Sequence, residues 1–282
     1  VNHSDDGIYG IDVSTLVGKK ELSCMKSEHD ISLVAARVYE EACVVDTNGA
    51  ETLKTAAALG MKVDAYHFPC QSKDAKTQIE ESVHHLRDHG VNVSTFWLDI
   101  EQANWGSDHA RNTKFIKELA REAEEHGQSV GIYTSEWSWT PITGDTHELS
   151  EKYRLWWPSY NTPPDRHLSD FVAFGGWSKA VQKQYKGNVA LCGANVDVSW
   201  RPHPFLGGED TEVKSCSYMK KLVNDVFSDH HDTWLCIAHA ESSFEPHARN
   251  PSGATGLFQV MPMHCGSPGC PPAGDKCVSD LE

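Results

Sequence analysis

The feature that most constrains the fold is an alternation of short apolar runs with helical stretches, which continues from Gly7 to Thr134. The apolar runs predict strands at 7–13, 31–39, 61–68, 93–101 and 129–134. Helices are predicted between them at 19–26, 49–59, 72–89 and 108–126, and three of these stop at a glycine, the usual residue just beyond a helix end. Such alternation is typical of parallel strands joined by crossover helices.

The alternation stops after Thr134. Further strands are predicted at 154–160, 172–176, 182–185 and 195–200, with loops rather than helices between them. We therefore expect an α/β fold, a β/α barrel whose later helices are missing. In barrels of this kind the chemistry takes place at the C-terminal ends of the strands.

The fourth predicted strand ends in two carboxylates, Asp99 and Glu101. A spacing of two places both side chains on one face of a strand. The tripeptide alone is more often a solvated strand end, but Phe96-Trp97-Leu98 before it is strongly apolar, so the acids emerge from a core. Two carboxylates that face one cleft are the minimum equipment for hydrolysing a glycosidic bond.

Other acidic and aromatic residues stand near the ends of the remaining predicted strands. They are Asp12, Tyr66, His67, Tyr133, Trp157, Tyr160 and Asp197. Aromatic faces stack on sugar rings, while carboxylates and hydroxyls bind sugar hydroxyl groups. Packing would explain each residue taken alone, and it is the joint pattern that predicts a carbohydrate site.

Charge and cysteine content narrow the class of protein. The formal net charge of −15 argues against nucleic acid and against electrostatic capture by an anionic surface. No apolar run reaches the length of a membrane span. The nine cysteines are scattered, without a Cys-x-x-Cys pair, which favours disulfides in an oxidising compartment over a metal site and leaves the pairing open. The chain begins at Val1, and we expect that a secretory leader has been removed.

Seven motifs in chain order resemble those of the glycoside hydrolase family 25 lysozymes. They are Gly10-Ile11-Asp12-Val13-Ser14, Tyr66-His67-Phe68, Trp97-Leu98-Asp99-Ile100-Glu101, Gly131-Ile132-Tyr133-Thr134-Ser135, Leu155-Trp156-Trp157, Gln184-Tyr185 and Val196-Asp197. Stretches around Phe68, Phe174 and Cys192 resemble the protist and invertebrate branch, and Ser199 departs from the asparagine common in the family. The resemblance covers about residues 7–200 and implies a flattened, irregular β/α barrel of about eight strands.

The resemblance also implies an activity, that of an N-acetylmuramidase without a cofactor or metal. Glu101 matches the general acid, and Asp99 matches a second acid that assists the substrate's own N-acetyl group as nucleophile. Asp12 and Asp197 match flanking acids that position the substrate. Tyr66, Tyr133 and Trp157 are expected to line the sugar subsites, with Tyr160 on the same rim.

A second, small unit is predicted after a linker at 201–210, which is rich in proline and glycine. Residues 211–282 are predicted to form a mainly helical, cysteine-rich segment, whose motifs resemble the start of a lytic transglycosylase or goose-type lysozyme domain. In that resemblance Glu241 is the catalytic acid and Gln259 lies in the loop that supports it. The family's domain continues further than this chain does, which leaves a shortened domain or a disulfide-braced remnant as alternatives.

The leading hypothesis is therefore a monomeric lysozyme, secreted or lysosomal or phagosomal, that digests bacterial peptidoglycan for defence or feeding. A non-catalytic glycan-binding protein on the same fold is the first alternative, although a binder does not need proton donors. Chemistry at Glu241 in the tail is the second.

Overall fold

A computed structural model describes residues 7–102 and 105–202, which contain nine strands and five helices. The strands are β1 (Gly7–Val13), β2 (Ile31–Glu40), β3 (Val44–Val45), β4 (Lys62–His67), β5 (Phe96–Asp99), β6 (Val130–Tyr133), β7 (Arg154–Pro158), β8 (Gln182–Leu191) and β9 (Ala194–Pro202). The helices are α1 (Lys19–Glu28), α2 (Thr47–Ala58), α3 (Ala75–Asp88), α4 (His109–Glu125) and α5 (Glu136–Thr143). None of these helices is both long and apolar enough to cross a membrane.

Eight of the strands close into a barrel in the order β1-β2-β4-β5-β6-β7-β8-β9, and β9 pairs again with β1. Neighbours from β1 to β8 are parallel, whereas β9 is antiparallel to both strands beside it. This arrangement confirms the predicted α/β barrel. Because the parallel strands share one direction, their C-terminal ends meet at a single rim.

The second half of the barrel differs from the prediction mainly in one helix and one strand, and β8 also runs to Leu191 instead of ending at 185. A fifth helix, α5, follows β6, with Ser135 as its N-cap and Gly144 in the left-handed conformation at its end. The strand predicted at 172–176 does not form, because Phe174 makes only an isolated bridge to Trp177. Phe174 packs edge-to-face against Trp177 in the apolar core instead of extending the sheet.

The barrel has two apolar layers. A large outer layer lies between the strands and the helices, and includes Ile11, Leu53, Ile79 and Ile116. A small inner layer consists of Ala35, Trp97, Tyr133 and Trp156, with Tyr66 packed against it. The inner layer is a packed floor beneath the C-terminal rim, so ligands can enter from that rim only to a shallow depth.

Trp97 is held in that floor from two sides. Its indole Nε1 donates a 3.1 Å hydrogen bond to Asp64 Oδ2 inside the barrel. Its ring covers Gly131 of the neighbouring strand, where an added Cβ would lie 2.3 Å from the ring. Position 131 therefore accepts only glycine while Trp97 keeps its place.

We expect Gly131→Ala to lower the free energy of unfolding by about 1–3 kcal/mol, the usual cost of overpacking a core. The fully buried indole cannot move aside without breaking its bond to Asp64. Urea denaturation measures the change, and Gly106→Ala is the matched control, since nothing lies within 4 Å of a Cβ there. Equal midpoints for the two variants would contradict the proposed close contact.

Two disulfides brace the barrel. Cys24 in α1 is bonded to Cys192 at the turn between β8 and β9, and Cys43 after β2 is bonded to Cys70 after β4. Disulfides were predicted from the cysteine content, although their pairing was not. The other five cysteines lie outside the described residues.

The end of the barrel lies slightly beyond the predicted boundary. Strand β9 continues to Pro202, so the first two residues of the predicted linker belong to the barrel. The remainder of the linker, the segment 211–282, Glu241 and Gln259 lie outside the described residues.

Candidate active site

A small cavity of about 100 Å³ lies at the C-terminal rim of the barrel. Its lining residues are Asp12, Tyr66, Asp99, Glu101, Tyr133, Trp156, Gln184 and Asp197. Six of these were predicted as site residues, and they come from five different strands or strand ends. The structure thus brings together four carboxylates, two phenols, one indole and one amide.

Asp12 and Asp197 face each other across the antiparallel pair of β1 and β9, where they are direct partners in the register. Two carboxylates that are direct cross-strand partners repel each other when both are charged. Gln184 reduces this repulsion, since its Nε2 donates to both oxygens of Asp12 at 2.9 and 2.8 Å. The same amide lies 3.4 Å from Asp197, whose other oxygen accepts a 2.6 Å hydrogen bond from the backbone of Asn188.

The other end of the Gln184 amide organises two tyrosines. Its Oε1 accepts a hydrogen bond of 2.8 Å from the hydroxyl of Tyr133 and a second one from the hydroxyl of Tyr160. The side chain is almost fully buried, and both its ends are used. Gln184 belongs to one of the family motifs found in the sequence, but no role was predicted for it. A polar residue on a predicted strand among aromatic neighbours was the signal that could have indicated a role.

Burial and like charge together raise the pKa of Asp12. Removal from water is the larger cause and the charge of Asp197 the second, while the hydrogen bond from Gln184 works in the opposite direction. The resulting pKa is about 8, so the carboxyl is mainly protonated at neutral pH.

Asp99 is the last residue of β5, in register with Tyr133 of β6. It is buried, and its Oδ1 has no hydrogen-bond partner among the described residues. Burial raises the pKa of Asp99 well above its usual range, and the charges of Glu101 and Asp12 raise it further. A buried acceptor left free in this way is a place for a donor from a ligand.

Glu101 follows β5 and is only partly buried. Its backbone is fixed on both sides, because Ile100 donates to the Tyr133 carbonyl at 2.9 Å and the Trp105 indole donates to the Glu101 carbonyl at 2.7 Å. Burial raises the pKa of its carboxyl, and the charge of Asp197 adds to the effect. Glu101 therefore combines a raised pKa with access to solvent.

Two predicted rim residues lie away from the cavity. Trp157 points to the outer side of β7, where its ring packs against Phe171 and beneath the ammonium group of Lys183. Trp156, its neighbour, is the tryptophan that reaches the cavity. His67 is buried between Ser82 and Gln78, with hydrogen bonds of 2.9 and 3.0 Å, and serves the core.

Tyr160 stands at the edge of the site. Its hydroxyl reaches Gln184, yet more than half of the residue is exposed. It is therefore placed beside the cavity rather than in its wall.

The one group with metal-ligand spacing among the described residues consists of Cys24, His29 and Cys192. The two sulfurs in it are bonded to each other as a disulfide. They are not thiolates and cannot act as ordinary metal ligands.

Comparisons with known proteins show what this chain is similar to in sequence and in fold. A family model described as "Lysozyme-like protein 1" matches residues 3–185, and one described as "Transglycosylase SLT domain" matches residues 225–271. The chain is 36% identical over 198 residues to "Lysozyme-like protein 5" of Caenorhabditis elegans, a match that spans 68% of this chain and 91% of the relative. It is 33% identical over 198 residues to "Probable GH family 25 lysozyme 2" of Dictyostelium discoideum, which spans 69% of this chain and 91% of that one.

The fold also has a counterpart among solved structures. A family GH25 lysozyme from Aspergillus fumigatus superposes with a TM-score of 0.56 at 19% sequence identity, over 70% of this chain and 95% of the fungal one. At that identity the likeness concerns the fold.

Proposed function

The chain belongs to the glycoside hydrolase family 25 lysozymes, and from this premise we propose that it cleaves the β-1,4 bond between N-acetylmuramic acid and N-acetylglucosamine in bacterial peptidoglycan. The observation that carries the proposal is the pair Asp99 and Glu101, which lie at the end of β5 and two residues beyond it, line one cavity and have raised pKa values. A glycosidase needs an acid that keeps its proton until the leaving oxygen requires it.

Glu101 is the general acid in this proposal. Burial and the charge of Asp197 raise its pKa, which favours the protonated carboxyl, and its partial exposure lets it reach the bridging oxygen of a bound glycan. As the bond between the anomeric carbon and that oxygen breaks, the Glu101 proton goes to the oxygen. The carboxylate that remains can then accept a proton from the incoming water.

Asp99 assists the nucleophile. The carbonyl oxygen of the substrate's N-acetyl group attacks the anomeric carbon and forms a cyclic intermediate, while Asp99 accepts a hydrogen bond from the N–H of that group. The free, buried Oδ1 of Asp99 supports this role. Water then opens the intermediate and restores the N-acetyl group.

The remaining cavity residues bind and orient the sugar. Asp12 and Asp197, bridged by Gln184, offer oxygens to hydroxyl groups, and Tyr66, Tyr133 and Trp156 offer aromatic faces. The two disulfides support work in an oxidising compartment, outside the cell or in a lysosome or phagosome, in antibacterial defence or the digestion of bacteria.

A second candidate activity belongs to the tail. The transglycosylase match at residues 225–271 includes Glu241 and Gln259, and it favours a second acid that would act on the same polymer.

The products of the reaction test the proposal. We expect purified peptidoglycan that is treated with the protein and then reduced with borohydride to yield N-acetylmuramitol. Hydrolysis of the β-1,4 bond between N-acetylmuramic acid and N-acetylglucosamine leaves N-acetylmuramic acid at the new reducing end. N-Acetylglucosaminitol would overturn the choice of bond. Anhydro-sugars would assign the chemistry to the tail, and binding without cleavage would support the glycan-binding alternative.

A further inference from the structure

The most exposed large aromatic side chain among the described residues is Trp137, which is 73% exposed in the first turn of α5. The rest of its helix is well anchored. Ser138, Trp139, Ile142 and Thr143 are buried, and the indole of Trp139 donates to the Thr146 carbonyl at 3.0 Å. Trp137 is therefore presented to solvent by a rigid element.

Trp137 is tied to the backbone segment that carries Glu101. The Gln102 side-chain amide donates a 2.5 Å hydrogen bond to the Trp137 carbonyl. On the other side, the Thr134 hydroxyl donates to the Ile100 carbonyl at 2.7 Å. Glu101 lies between these two attachment points, so the start of α5 and the proposed general acid keep a fixed spacing.

That attachment also limits the distance. Gln102 directly follows Glu101, and one side chain and one hydrogen bond then lead to Trp137. The backbone of Trp137 is therefore held one side chain and one hydrogen bond away from the residue that follows the proposed acid. The segment follows β6, so it lies at the same C-terminal rim as the cavity.

The chemistry of this position favours a sugar. An indole presents a large apolar face at low entropic cost and stacks well on the C–H face of a pyranose ring. Its exposed neighbour Glu136 disfavours a carboxylate at this position. Of the two alternating sugars of the glycan, the uncharged N-acetylglucosamine satisfies both conditions, whereas N-acetylmuramic acid carries a carboxylate.

We infer that Trp137 forms a secondary sugar-binding subsite, which stacks on an N-acetylglucosamine ring of the glycan chain beyond the units that contact the cavity. The inference rests on the proposed function, because it assumes that a β-1,4 glycan crosses this rim. Its effect is a preference for longer chains.

The test compares Trp137→Ala and Trp137→Phe with Thr140→Ala, an exposed position one turn later on the same helix. Peptide-free glycan chains of increasing length, built from the N-acetylglucosamine–N-acetylmuramic acid repeat, serve as substrates. We expect KM to rise about 5–10-fold in Trp137→Ala for the longest chains, with kcat nearly constant, and about 2–3-fold in Trp137→Phe. Thr140→Ala should match the wild type, and an equal KM for all proteins at every length would overturn the subsite.

A measurement of glycan binding tests this inference separately from the proposed function. In the Glu101→Gln protein, the longest chain should quench the tryptophan fluorescence, and adding Trp137→Ala should remove most of that signal. A wild type that cleaves nothing, together with loss of quenching in Trp137→Ala, would refute the proposed function and support the subsite. Unchanged quenching, or quenching only by peptide-bearing fragments, would overturn the subsite alone.

Discussion

Replacing Glu101 with glutamine is expected to lower kcat on peptidoglycan by about 10²–10⁴-fold, the range in which general acid catalysis contributes. Glutamine keeps the size of the side chain but has no acidic proton to transfer to the leaving oxygen. Binding of the glycan should persist, because Asp12, Asp197 and the aromatic residues of the cavity are untouched. Release of reducing ends from purified peptidoglycan measures kcat, and KM should change little.

Glu241→Gln is the matched control for this experiment. It makes the same chemical change at the acid of the second resemblance, within the residues 225–271 that match the transglycosylase family. If the barrel is the enzyme, this variant keeps most of the activity. Full activity in Glu101→Gln would refute the assignment of the general acid, and loss of activity only in Glu241→Gln would transfer the chemistry to the tail.

The first half of the barrel was predictable because its strands are buried on both faces. Residues such as Leu33, Val34, Ala35 and Ala36 form continuous apolar runs, which is the pattern of a parallel strand covered by helices. The C-terminal ends of three helices were equally predictable, because Gly60, Gly90 and Gly127 follow α2, α3 and α4 in the left-handed conformation. The N-terminal ends were less so: Asp46 and Asp74 cap α2 and α3, which begin at Thr47 and Ala75 rather than at the predicted 49 and 72.

The later half was less predictable because its local signals are weak. Helix α5 contains two tryptophans, two threonines and Pro141 within eight residues, a composition poor in helix formers. Its existence depends on the burial of Trp139 and Ile142, a tertiary effect. The same is true of 172–176, where Phe174 looks like a strand residue but belongs to an aromatic cluster.

The site residues likewise fall into those that the sequence predicts and those that it does not. The acids Asp12, Asp99 and Glu101 follow from where strands end, because the rim collects whatever side chains stand there. The choice between Trp156 and Trp157 depends on the phase of β7, and an error of one residue moves a side chain to the opposite face. The bridging role of Gln184 joins β1, β6 and β9, which no local pattern reveals.

Replacing Asp12 with asparagine should stabilise the protein at alkaline pH, although the substitution alters the site. The pKa of this carboxyl is about 8 in the folded protein, against about 4 for an exposed aspartate in an unfolded chain. A raised pKa means that the folded state holds the proton more tightly than the unfolded chain does. The contribution of protonated Asp12 to the free energy of unfolding is therefore complete below pH 4 and disappears as the pH rises to about 8. Asparagine, which does not ionise, avoids that loss. We expect Asp12→Asn to exceed the wild type by a few kcal/mol in the free energy of unfolding at pH 8, and by only about 1–2 kcal/mol at pH 5.

Urea denaturation at the two pH values measures this difference, and Asp88→Asn is the control, since that carboxylate is exposed at the end of α3. Its substitution should shift stability by a similar small amount at both pH values. The pH-dependent gain in Asp12→Asn arises mainly because ionisation places a charge on a buried carboxyl, and secondly because Asp197 faces residue 12 across the strand pair and Glu101 lies in the same cavity. An identical pH dependence in wild type and Asp12→Asn would mean that Asp12 is already ionised near pH 5. The cavity would then tolerate its carboxylates through solvation rather than through the proton held on Asp12.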